Sequence, residues 1–157
     1  VPHVCYIKAP DPIPPPPFRG ALVQKSIWQL APNNTLTLIT WDVEIYDTDN
    51  IHNNVLNPSR LKVPPGVSRV KLFAQGDWQT NSTGHRRILI YKNNNPTLPV
   101  MADYRPTSTY AYQSISSPAI PVAPGDYFEF KVFQNSGVDL HFPPDPEIAW
   151  FAMEIIK

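Results

Sequence analysis

Three places in this 157-residue chain hold residues whose types and spacing could do chemistry. The first, Asp47-Thr-Asp49-Asn50, begins as a calcium loop does, with oxygen ligands at alternate positions. It carries Ile51 at the fifth position and His52 where the sixth needs a glycine for the sharp turn, so the EF-hand reading fails. Asp47 and Asp49 stay as weak candidates for another kind of calcium site; a plain turn uses the same residue types. The second place is His85-Arg86-Arg87, preceded by Asn81-Ser-Thr-Gly84. It is a local positive spot that could meet an anion or acidic partner, or else the solvated start of a strand. The third is a set of aromatics near loops and strand ends: Trp78, Tyr104, Tyr110 and Tyr112. Such rings stack on sugars or fill a partner's pocket when exposed, and pack in a core or between subunits when not. Together with Arg86 they are the candidate ligand contacts.

No catalytic constellation emerges. The Ser, His and Asp residues form no nucleophile elbow and no glycine-rich oxyanion turn. Nothing singles out a carboxylate pair for glycoside hydrolysis among the 13 acids. His3, His52, His85 and His141 are scattered, none at metal-ligand spacing from another His or Cys. The expectation is therefore a protein that is not an enzyme and takes no cofactor. Asn33 and Asn81 fit the glycosylation sequon, which matters only in a secreted eukaryotic protein.

The elements that would position these residues follow from composition and pattern. Twenty prolines against six glycines work against long helices. Acidic and basic residues balance at 13 each, so no global field attracts nucleic acid or an anionic membrane. No apolar run approaches the roughly 20 residues of a membrane span. Residues 1–19 read as an extended arm, with Pro14, Pro15, Pro16 and Pro17 set in polyproline II. At about 3.1 Å per residue such an arm reaches on the order of 50 Å. Val4, Tyr6 and Ile7 at its tip are candidate anchors onto a neighbouring chain, or onto the arm's own domain. Cys5, the sole cysteine, is either a small buried hydrophobe or an interchain bridge.

Residues 20–157 read as one β-sandwich of about eight to ten strands. Val70, Leu72 and Ala74 alternate with Arg69, Lys71 and Gln75, leaving Phe73 apolar on the outer face. Ile88 and Ile90 alternate with Arg87, Leu89 and Tyr91, and Phe128, Phe130 and Val132 with Tyr127, Glu129 and Lys131. Segments 43–46, 110–115 and 150–156 have strand composition without the clean period. Segment 21–31 fits a strand or a helix face, and Pro32 stops either. Pro65-Gly66 and Pro124-Gly125 fit the two central positions of a type II turn, each leading from a short strand into a long one. Phe151, Met153 and Ile155 point to the core, yet Trp150, Ala152 and Ile156 on the opposite face are apolar too. A strand apolar on both faces needs a second cover, either a neighbouring subunit or a loop such as 141–146.

Val63-Pro-Pro-Gly-Val-Ser-Arg-Val70 and Ile120-Pro-Val-Ala-Pro-Gly-Asp126, with the closing Trp150-Phe-Ala-Met-Glu-Ile-Ile156, resemble the trimeric jelly rolls of complement-type heads and tumour necrosis factor-like proteins. Trp41-Asp-Val-Glu-Ile-Tyr-Asp-Thr-Asp49 and Asn57-Pro-Ser-Arg-Leu61 resemble the versions found on tailed-bacteriophage virions, in head spikes and fibre tips. The resemblance spans about residues 20–157 and implies a jelly-roll homotrimer with Trp150, Ala152 and Ile156 at the interface. It further implies a structural role on the virion surface, as decoration or spike. The arm would grip another virion protein such as the major capsid protein. The alternatives are a fibre tip that binds a host receptor or surface glycan, and a glycan-processing enzyme.

Overall fold

The computed structural model describes residues 17–106, 111–145 and 147–156. Among these every element is a β-strand, and no helix is long and apolar enough to cross a membrane. The first sheet runs β10 (Ile120–Pro121), β6 (Arg69–Gly76), β13 (Trp150–Ile155), β1 (Gly20–Gln24), β4 (Val43–Asp47), with β9 (Gln113–Ser116) also on β6. The second runs β3 (Thr37–Leu38), β11 (Tyr127–Gln134), β7 (His85–Lys92), β8 (Met101–Pro106), with β5 (Arg60–Lys62) also on β11. A ribbon of β2 (Gln29–Ala31) and β12 (Leu140–Phe142) crosses one end. All pairings are antiparallel, and the architecture is the expected jelly-roll sandwich.

The strand number exceeds expectation because β2, β3, β5, β10 and β12 are pieces of two or three residues, too short to show a period. The three long alternating segments are β6, β7 and β11, and their inward residues are fully buried. Trp41 sits at the core's centre, its ring 5.6 Å from Phe130, 6.2 Å from Phe151 and 6.4 Å from Phe142. Burying each such ring contributes about 2–3 kcal/mol. Phe142 is itself fully buried, its ring packing against Trp41, Trp78 and Phe130.

Segment 21–31 resolves as strand, turn and strand. Ala21, Val23 and Lys25 alternate inward. Lys25 is buried but satisfied, its Nζ donating to Thr40 O at 2.6 Å and Gln29 Oε1 at 2.9 Å. Asp42 accepts the Ser26 backbone N–H at 2.8 Å and its hydroxyl as well. These bonds fix a turn that throws Ile27 and Trp28 outward.

The two Pro-Gly turns hold Gly66 at φ 76° and Gly125 at φ 89°, the left-handed region a glycine enters without strain. The two strands flanking each turn do not pair with one another. Each turn carries the chain from one sheet to the other: β5 pairs with β11 while β6 joins the first sheet, and β10 pairs with β6 while β11 joins the second. The crossovers are tied together, Gly125 N donating to Val63 O at 3.0 Å and Val63 N to Asp126 O at 2.7 Å.

Candidate functional site

The sequence-predicted residues do not converge on one site. Asp47 spends its carboxylate on backbone N–H groups, Oδ1 accepting from Asp49 and Ile51 and Oδ2 from His52, between 2.9 and 3.2 Å. Asp49 pairs with the Arg19 guanidinium and accepts the Thr48 hydroxyl at 2.6 Å. Both acids therefore serve a turn, against the calcium alternative. Among the described residues no group of three or more His, Cys, Asp or Glu is placed to hold a metal ion.

The basic cluster splits across the sheet. Arg86 points inward and is 2% exposed. Its guanidinium donates to Asn81 O, Thr83 O and His85 O at 3.1–3.2 Å and lies 5.7 Å over Trp78. Trp78 is 3% exposed and donates Nε1–H to Gln113 Oε1 at 2.9 Å. Arg86 is thus a core residue and not a surface ligand contact, which corrects the expectation, whereas Trp78, though buried, lines a groove. His85 and Arg87 face outward on the second sheet, where His85 stacks on Phe133 (5.6 Å) and Tyr104 (4.8 Å). Arg87 covers the same two rings at 5.2 Å. Burial, then Arg87 and Arg86, pull the His85 imidazole below its ordinary value. Tyr104 and Tyr112 are each 53% exposed. Tyr110, Val4, Cys5, Tyr6, Ile7, Pro14, Pro15 and Pro16 lie outside the described residues, and Pro17 is exposed.

Two surfaces have the character of binding sites. One is the outer face of the first sheet. Strand register sets Tyr46, Leu22, Ala152, Phe73 and Ser116 side by side in one row. Gln24, Trp150 and Gln75 form the row on one side of it, and Glu154 with Lys71 the row on the other. Phe18 extends the apolar area by packing edge-on against Tyr46 at 5.3 Å. Trp150 and Ile156 are half-buried and Ala152 is buried. Burial, with Glu154 nearby, raises the Tyr46 phenol above its ordinary value.

The other is a groove of about 780 Å³ between the 25–28 turn, the segment after β6 and the segment after β12. Trp28 forms one wall, 57% exposed, with His141 edge-on to it at 6.1 Å. Asp77, Trp78, Gln79 and Thr80 form a second wall; Pro143, Pro144, Asp145 and Glu147 form a third. Burial, with Asp145 close by, raises the Asp77 carboxyl above its ordinary value, although the Trp78 backbone N–H opposes this. Asp77 Oδ1 is buried without a hydrogen-bond partner. Sequence reasoning missed this groove because its wall, Trp28, lay in the segment that fitted both helix and strand.

These features define the class by fold: an all-β jelly-roll sandwich of antiparallel strands. No family model and no curated protein sequence matches the chain. Solved structures do match in shape. Murine APRIL at pH 8.5 aligns with TM-score 0.68 at 9% identity, over 89% of this chain and 100% of that one. The same murine protein at pH 5.0 aligns with TM-score 0.61 at 11% identity, over 88% and 100%. Eiger TNF from S. frugiperda aligns with TM-score 0.62 at 11% identity, over 90% and 94%.

Proposed function

We propose that this chain is a non-enzymatic jelly-roll head that assembles as a homotrimer and is displayed on a larger particle. The observation that carries the reading is the apolar row across four strands of the first sheet: Tyr46 and Leu22 on β4 and β1, Ala152 on β13, Phe73 on β6. A sheet face of this composition gains by being covered, and the remaining sheet face already covers the core. The resemblance of segments 63–70 and 120–156 to trimeric jelly rolls supports a neighbouring subunit as that cover. The likeness of segments 41–49 and 57–61 to phage virion domains supports a virion surface as the particle. There the proline-rich residues 1–19 would serve as the anchor to the capsid protein.

The test is the mass in solution of the full chain and of a form lacking residues 1–17. Trimers of both are expected. A monomeric full-length protein would overturn the reading, and a monomer only on truncation would make the arm the assembly device instead of the anchor. Turnover of 4-nitrophenyl glycosides by the purified protein would sink the non-enzymatic part.

A second reading, a host-receptor or glycan-binding tip, is favoured by the exposed Trp28 at the 780 Å³ groove.

A further inference from the structure

We infer that the groove beside Trp28 is a carbohydrate site for a neutral pyranose, with the indole as stacking platform and Asp77, Gln79 and Thr80 as its polar rim. The inference rests on the glycan-binding reading and supplies its residues and ligand class.

A large ring held out in water needs a reason, and this one is held firmly. The Lys25 and Asp42 bonds fix the turn beneath it, and the edge of His141 fixes its tilt. A ring already locked in place gives up little further freedom when a ligand stacks on it. Sugar rings present an apolar C–H face to such a platform and hydroxyl groups around their edge, so the walls must offer both donors and acceptors.

Both are present here. Gln79 turns its Oε1 to the His141 backbone N–H (3.0 Å) and ring Nδ1 (3.2 Å), leaving its Nε2 as a donor. Thr80 adds an exposed hydroxyl. Asp77 Oδ1 is a buried acceptor without a partner, a group that gains most from an incoming hydroxyl. Asp145 has one oxygen committed, Oδ1 accepting the Glu147 N–H at 3.0 Å.

The same walls select against other ligands. Asp77, Asp145 and Glu147 line the groove and no Lys or Arg does, so acidic sugars and phosphates are repelled. A cationic side chain would satisfy the carboxylates but offers nothing for the Gln79 amide to donate to. A hydroxylated ring answers donor and acceptor alike. The volume lies in the range of small-molecule sites.

The probes are methyl glucoside, galactoside, mannoside and N-acetylglucosaminide, with methyl glucuronide and an acetylated lysine-arginine dipeptide as contrasts. Binding is followed by saturation-transfer NMR and tryptophan fluorescence on the full chain. At least one neutral glycoside is expected to bind in the millimolar range, and methyl glucuronide more weakly. Trp28→Ala should weaken that binding about tenfold and Gln79→Ala should weaken it too, with the circular dichroism of each variant unchanged; Gln79→Ala should also lower the melting temperature, because it removes the acceptor of the His141 N–H. Absence of binding by all four neutral glycosides, or equal affinity in Trp28→Ala, overturns the proposal. So does tighter binding of the dipeptide. Solution mass measured on the same samples keeps this outcome separate from the trimer reading.

Discussion

Asp126 shows how one side chain ties the pH response of this protein to its architecture. It sits at the second crossover, accepting the Ala123 backbone N–H at 2.8 Å and the Asn93 amide at 2.7 Å, with Lys92 Nζ 2.6 Å from Oδ2. Burial alone would raise this carboxyl, but the Ala123, Lys92 and Asn93 bonds outweigh it and hold the group at about 2. An unfolded aspartate titrates near 3.9. Because the folded value is the lower, the contribution is fully present above about pH 4 and is lost as pH falls toward about 2. The urea midpoint should therefore drop across that window, and Asp126→Asn should flatten the drop; an equally steep fall in the variant would contradict this. The residue scale is also where sequence reading went astray, and Arg86 shows why. Charge suggested surface. Yet the alternation that sends Ile88 and Ile90 inward also sends Arg86 inward, and the carbonyls of Asn81, Thr83 and His85 provide for its burial. The inward signal was present in the sequence, whereas the carbonyl cage was not, since it arises from the path of the 81–85 turn.

Elements were legible in proportion to their length. Eight-residue strands such as β6 and β11 display their period plainly, because one face meets the core and the other the outside. Two-residue strands such as β3 and β10 display none and exist only because a neighbour offers a ladder. The Pro-Gly pairs announced turns correctly, but not that those turns would switch sheets, since that depends on which partners β5 and β10 find. Gly125 sits where a Cβ would meet nothing within 4 Å, so its requirement is purely conformational. Gly125→Ala should cost about 1–2 kcal/mol through backbone strain alone, read as a lower denaturant midpoint with unchanged spectra at room temperature. A loss of native structure would mean that the Gly125–Val63 tie between crossovers matters more than the dihedral does.

For the whole molecule, the proposed trimer turns on the outer face of the first sheet. Phe73 lies in its central row, next to Ala152 and Ser116, and plays no part in the buried core. Phe73→Lys should leave the monomer fold intact and reduce the assembly to monomers, visible as a threefold fall in solution mass with the circular dichroism preserved. A trimeric variant would place the interface elsewhere. The sandwich and its two-faced last strand could be read from residues 150–156; the groove could not, because it needs β2, β6 and β12 brought together from distant parts of the chain.

That last strand also sets an order on synthesis. β13 lies between β1 and β6, and neither of those pairs with the other. More than a hundred residues separate β1 from β13, so β1 emerges from the ribosome long before the partner that joins it to β6 exists. At roughly 5–20 residues per second the wait is on the order of ten seconds. Once β6 has followed, the nascent chain carries Ala21, Val23, Val70 and Leu72 on strands that each keep an open edge, a natural substrate for chaperones that hold apolar segments until translation passes residue 155.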